Sequence, residues 1–148
     1  MRILPATFEH LDALAPLFVT YREIYQQLPS PEASRRFLEE RIKNQDARLF
    51  LAMADDEDKI LGFIQLFPSL SSLSLKPVWV LNDIYVIPEA RRQLVADRLI
   101  LKARELAQRE GVIGLRAATR QDNEVGHELY RSMGFQDDDM FKHFSLTF

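Results

Sequence analysis

Apolar positions recur with helical spacing in four stretches of the chain and in strand-like runs elsewhere. In 7–27, TFEHLDALAPLFVTYREIYQQ, Leu11, Leu14, Leu17, Phe18, Tyr21 and Tyr25 fall on one side of a helix, with Thr7 as its N-cap. A second helix is predicted from SPEASRRFLEERI. Ser30 caps it, Pro31 suits its first turn and Glu32 complements its dipole. A third runs from about residue 91 to 110, with Val95, Leu99, Ala103 and Leu106 inward and Gly111 as its stop. The fourth is DNEVGHELYRSMG, capped by Asp122 or Asn123, with Val125, Leu129 and Met133 on one face and Gly134 at the end.

Strand-like runs lie between these helices. Residues 2–6 make a short one. RLFLAMA and ILGFIQLF, joined by the polar DDEDK, read as an antiparallel hairpin. PSLSSLSLK reads as a loop carrying leucines, which either lines a pocket or packs against a partner subunit. VWVLNDIYVI is rich in β-branched and aromatic residues and ends at Pro88. GLRAAT is short, and in MFKHFSLTF the residues Met140, Phe144, Leu146 and Phe148 alternate with more polar neighbours. The order βααβββαβαβ predicts an α/β fold, a mixed sheet with helices on both faces. The apolar face of the last strand suggests an edge that meets a second subunit, a homodimer.

Composition narrows the function classes. The 148 residues suit one domain, 1–148. A net charge of −3 argues against a nucleic-acid partner. There is no cysteine, which removes disulfides and thiolate metal sites and makes the cytoplasm the expected location. No signal peptide is indicated, and no apolar run approaches the ~20 residues of a membrane helix. Glu124-x-x-His127 has metal-pair spacing but no partner motif, so no metal is expected. DDEDK and Asp137–Asp139 lack calcium-loop spacing and read as solvated turns.

Two places carry candidate chemistry. Where NDIYVIP meets the third helix, unpartnered first-turn amides, the helix dipole, Arg91 and Arg92 together suit an anion. Tyr130, about 100° round its helix from the buried stripe, sits at the core edge, where a phenol can donate a proton. Asp83 alternates with Tyr85 along its strand, so both lie on one face. Asp83 is a candidate base, or else a structural partner of a neighbouring turn or amide.

Taken in order, LNDIYVIPEARRQLVADRLILKARELAQREG and GLRAATRQDNEVGHELYRSMGF resemble the GNAT superfamily of acetyl-CoA-dependent N-acetyltransferases, over nearly the whole chain. LFPSLSSLSLKPVWVLNDIYV is similar to a bacterial subgroup related to yeast histone and polyamine acetyltransferases. The family's pyrophosphate signature, Gln/Arg-x-x-Gly-x-Gly/Ala, falls on Arg91, Arg92, Gln93, Leu94, Val95 and Ala96. Arg91 and Ala96 fit. Leu94 stands at the glycine position, and Arg92 stands where a further glycine is frequent. Leu94 is expected to take helical dihedrals at the helix start and to point outward on the side of Leu101.

The resemblance implies a single-domain GNAT fold and direct attack of a small-molecule or peptide primary amine on acetyl-CoA, with no metal. It implies pantetheine along Tyr85–Ile87, held by the Val86 N–H, with Asn123 on the same arm. Asp83 would then be the base and Tyr130 the acid for the leaving thiolate. The alternative is a GNAT-fold binding or dimerisation module that has lost catalysis with its glycines.

Overall fold

Buried residues follow one another without alternation in the middle strands, at Leu49–Met53 and Phe63–Leu66, so the sheet is covered on both faces. In the computed structural model, which describes residues 1–148, the strands are β1 (Arg2–Pro5), β2 (Arg48–Met53), β3 (Ile60–Ser71), β4 (Lys76–Val86) and β5 (Leu115–Ala117). They lie in the order β1-β2-β3-β4-β5, antiparallel throughout except for the parallel β4–β5 pair. The helices are α1 (Leu11–Ile24), α2 (Pro31–Asn44), α3 (Val95–Arg109) and α4 (Glu124–Ser132), with short 3₁₀ turns at Phe8–His10 and Pro88–Ala90. The mixed, mostly antiparallel α/β fold expected from the sequence is the one observed.

The chain divides into two compact units. Met1–Ala118 holds all five strands and α1 to α3; Thr119–Phe148 holds α4 and the segment after it. In the first unit α1 packs its aromatic side on the sheet: Phe18 and Tyr21 meet the Phe63 ring edge-on at 6.1 and 5.7 Å. α3 buries Val95, Leu99, Ile100, Ala103 and Ala107. It ends at Gly111, whose φ of 74° lets Val112 N–H reach back to the Ala107 carbonyl at 2.9 Å. No helix is long and apolar enough to cross a membrane.

Several expectations need correction. Thr7 caps the 3₁₀ turn, reciprocally with His10, rather than α1 itself. Ser30 precedes α2 in a left-handed conformation with no side-chain cap; its carbonyl accepts the Ser34 N–H instead. PSLSSLSLK is mostly strand: β3 continues to Ser71 and β4 begins at Lys76, because the two arms keep pairing (Ser71 opposite Lys76) beyond the apolar stretch. β-hairpin pairing overrides the turn-like composition there.

The expected strand at MFKHFSLTF is absent. Residues 140–148 pair with no strand, and Met140, Phe144, Leu146 and Phe148 are 86%, 86%, 81% and 110% exposed. Alternation specifies two faces, but a strand also needs an edge to pair with.

Phe63 is buried beneath two aromatic rings of α1, so Phe63→Ala should cost about 3–5 kcal/mol by loss of packing and cavity formation. Urea unfolding of the variant against the wild type checks this.

Candidate active site

β4 is irregular at one place. Gln65 lies opposite Asp83 but Leu66 lies opposite Leu81, so Asn82 is an extra residue and the strand bulges there. After the bulge Asp83 and Tyr85 share one face, as the alternation predicts, and both are buried. The Asp83 carboxylate accepts hydrogen bonds from Gln65 Nε2 at 2.8 Å and Asn82 Nδ2 at 3.1 Å. Tyr85 lies 6.0 Å from the Phe63 ring and 6.2 Å from the Tyr21 ring.

Two residues of this cluster were not singled out from sequence. Gln65 is fully buried, and its Oε1 has no hydrogen-bond partner. The signal was present: it is the one polar side chain in the apolar run ILGFIQLF. Tyr21 was read only as part of a helical stripe. Burial, then the negative charge of nearby Asp83, hold the Tyr21 phenol far above its ordinary range, and its hydroxyl donates to the Asn82 carbonyl at 3.5 Å.

The same bulge sets the direction of the backbone beyond it. Ile87 N–H bonds the Leu61 carbonyl at 2.9 Å, so the amides of Ile84 and Val86 face away from β3. On that side β5 pairs only as far as Ala117, opposite Leu81. The Val86 N–H therefore lies where β4 runs on without a neighbouring strand. The Val86 carbonyl accepts a hydrogen bond from Arg91 Nε at 3.0 Å, and the guanidinium lies 5.9 Å from the centre of the Tyr85 ring.

The turn that follows departs from expectation. α3 begins at Val95, not near residue 91, because Arg91 is extended (φ −70°, ψ 156°) and two later residues are left-handed. Arg92 has φ 61° and Leu94 has φ 62° with ψ 22°. Leu94 thus takes the conformation that favours glycine, not the helical one anticipated for it. Its side chain does point outward, being exposed like that of Leu101. Its carbonyl accepts the first helical bond, from Arg98 N–H at 3.0 Å. The amides of Val95, Ala96 and Asp97 consequently have no partner within the helix, and residues 91–94 are exposed. Gln93 bonds back to the Glu89 carbonyl at 3.1 Å, which braces the turn.

In the second unit Asn123 is the cap of α4. Its Oδ1 accepts the Gly126 N–H at 3.1 Å and its Nδ2 donates to Thr119 Oγ1 at 2.8 Å. A Cβ at position 126 would overlap the Asn123 side chain, so the glycine admits the cap. Tyr130 is half-buried, and its ring lies 5.2 Å from that of Phe135. The helix closes on Gly134 (φ 96°), with Phe135 N–H reaching the Tyr130 carbonyl at 2.9 Å. That closure fixes the backbone on which Tyr130 sits. His127 bonds the Arg120 carbonyl at 3.0 Å, Asp137 pairs with Arg131 at 2.8 Å, and the chain gathers no cluster of three metal-ligating side chains.

A bulged strand with unclaimed amides, followed by a turn at a helix start with amides unpartnered in the helix, is an arrangement that suits a ligand carrying phosphate. The acetyltransferase (GNAT) family model matches residues 12–135, and the chain belongs to that family. Over 147 residues it is 34% identical to the uncharacterized N-acetyltransferase YhfO of Bacillus subtilis, covering 99% of this chain and 97% of that one. A crystal structure of a probable acetyltransferase superposes with a TM-score of 0.95 at 55% identity, over 100% of this chain and 98% of the other. A shorter match, 40% identical over 78 residues (53% of this chain, 45% of the other), is to a thialysine N-epsilon-acetyltransferase of Bos taurus. The protein is accordingly an acyltransferase of the GNAT family.

Leu94→Gly is expected to raise stability by about 0.5–1 kcal/mol. The left-handed penalty of about 1–2 kcal/mol for a side chain outweighs the added chain entropy of about 0.5–1 kcal/mol, and the exposed leucine gives up no burial. Arg92→Gly should behave alike; urea midpoints that stay put or fall would contradict the left-handed turn.

Tyr21 makes a further prediction. Its folded pKa lies above its ordinary value of 10.0, so its contribution is complete below pH 10 and is lost as pH rises beyond it, when only the unfolded chain's phenol ionises. The wild type should therefore lose stability relative to Tyr21→Phe above pH 10, as read by urea midpoints at several alkaline pH values.

Proposed function

We propose that the protein transfers an acetyl group from acetyl-CoA to a primary amine of a small molecule or peptide, in the cytoplasm. The observation that carries this reading is the 91–96 turn. Arg92 and Leu94 keep left-handed backbone conformations without glycine, which leaves the amides of Val95 and Ala96 open to a pyrophosphate. The backbone thus takes the left-handed path that glycine favours, although neither position holds glycine. Arg92 adds a positive charge beside the turn, and the outward Leu94 leaves the backbone amides accessible. This favours a working transferase over a module without catalysis.

The residues present fit the cosubstrate. Arg91, Arg92, Gln93, Leu94, Val95 and Ala96 would hold its pyrophosphate, the strand at Tyr85 and Val86 its pantetheine, and Asn123 the same arm. Acetyl-CoA supplies an activated acetyl thioester. The Val86 N–H, unclaimed by a neighbouring strand, would polarise the thioester carbonyl. Asp83, directly or through water, would take the proton of the incoming ammonium, so that a neutral amine forms the new C–N bond. As the C–S bond breaks, Tyr130 would give its phenolic proton to the departing sulfur, and the second proton shed by the attacking nitrogen would return through water to the phenolate.

Asp83 stands among the rings of Tyr21, Phe63 and Tyr85, surroundings that suit an alkylammonium group. The thialysine enzyme of Bos taurus acts on such an amine by its name, which supports a primary-amine acceptor. A homodimer belongs to this reading, supported by the exposed apolar segment 140–148.

The test joins binding to turnover. Titration calorimetry should give micromolar acetyl-CoA binding by the wild type, with Leu94→Gly binding at least as well. Turnover across a panel of primary amines should then fall about 10²–10⁴-fold in Tyr130→Phe. In Asp83→Asn it should fall at neutral pH and recover as the amine's own pKa is approached. Absent binding, or binding without turnover of any amine, would return the protein to the class of non-catalytic modules.

A further inference from the structure

Gln65 lies opposite Asp83 in the β3–β4 register, at the point where the bulge shifts the pairing, and is fully buried. Its Nε2 donates to Asp83 Oδ2 at 2.8 Å, and Asn82 Nδ2 donates to the same oxygen at 3.1 Å. Neither bond claims Oδ1, so one carboxylate oxygen is pinned and the other is open to an incoming proton. The two donors are not equivalent. Asn82 is exposed, and water can stand in for its amide; Gln65 is sealed from water, and nothing replaces its N–H.

Packing does not explain the amide. Its neighbours in ILGFIQLF are apolar, and its own Oε1 is buried without a hydrogen-bond donor. A methionine of similar length and volume would fill the position with no orphaned atom. What the amide supplies, and methionine lacks, is a donor to the carboxylate. Such a donor favours the charged form, the form able to take a proton. The orientation is forced as well, since the amide oxygen turned toward an ionised Asp83 would set two acceptors against each other.

We infer that Gln65 is a positioning residue for proton removal from the acceptor amine, holding Oδ2 so that Asp83 stays ionised with Oδ1 free. This rests on the reading of Asp83 as the base. The proton leaves the substrate ammonium nitrogen for Oδ1, directly or through water, and the lone pair stays on the nitrogen. Gln65 exchanges no proton and, being sealed, acts only through Asp83. The titratable groups facing Asp83 are Tyr21 from α1, with Tyr25 against it, and Tyr85 on its own strand. Phenols ordinarily ionise near pH 10, far from the acid range in which a carboxyl titrates.

The test replaces Gln65 with Met and, separately, with Glu, which keeps the length and a polar end. The Asp83 carboxyl carbon is followed by NMR in aspartate-labelled protein, with Asp83→Asn to assign its signal. The titration midpoint should rise by about 1–2 pH units in Gln65→Met, the worth of one hydrogen bond to a charged group. It should rise in Gln65→Glu too, where two carboxyls compete for one proton. The acid limb of kcat/KM should move up by the same amount for two amines of different pKa, with acetyl-CoA binding unchanged by calorimetry. Rates that fall alike at every pH, with the limb in place, would mark a merely structural role and overturn the proposal. An Asp83 signal unmoved in both variants would overturn it even in an active enzyme. The NMR titration needs no turnover, so a wild type inactive on every amine removes the catalytic reading separately, whichever way Asp83 responds.

Discussion

The extra residue at Asn82 is the constraint on which the site in the first unit depends. Without it, β4 would keep one phase along its length, and the residues beyond position 82 would exchange faces. With it, Asp83 turns toward Gln65, Tyr85 toward Phe63 and Tyr21, and the amides of Ile84 and Val86 toward the side where β5 has already ended. A single inserted residue thus places an acid, an aromatic wall and an unclaimed backbone donor along four consecutive positions. Arg91 then ties the following turn to the strand through the Val86 carbonyl.

The environment of Asp83 explains how a carboxylate is kept there. A buried carboxylate is costly unless its oxygens are bonded. Gln65 and Asn82 donate to it, and its charge opposes ionisation of the nearby Tyr21 phenol, which donates to the Asn82 carbonyl at 3.5 Å. The orphaned Gln65 Oε1 is the price of this arrangement: the amide is oriented by giving its N–H to Asp83, which leaves its oxygen facing a buried space with no donor. A residue positioned at such expense is expected to matter through Asp83.

Much of this was legible in the sequence. Helical spacing located α1, α3 and α4, the polar DDEDK marked the β2–β3 hairpin, and parity put Asp83 and Tyr85 on one face. The bulge was not legible, because one surplus residue in VWVLNDIYVI changes neither composition nor length enough to be seen. Nor was the left-handed turn: propensity assigns Arg92 and Leu94 to a helix, and only the tertiary path of the chain from Val86 to Val95 forces them out of it. Gln65 could have been found, as an isolated amide within a buried apolar run. Tyr21 could not, since its meaning comes from a strand sixty residues away in the chain.

The turn is where sequence motif and physical requirement part company. Glycine at a phosphate-gripping turn serves two needs, a left-handed backbone and room for the anion. Arg92 and Leu94 meet the first with strain rather than with freedom, and the strain persists because both ends of the turn are anchored. The second need is one of side-chain direction, and Leu94 is turned outward. A motif written as residue types records the commonest solution to these needs; the conformation records the needs themselves. By that standard the 91–96 turn is to be judged by its left-handed backbone, which Arg92 and Leu94 adopt without glycine.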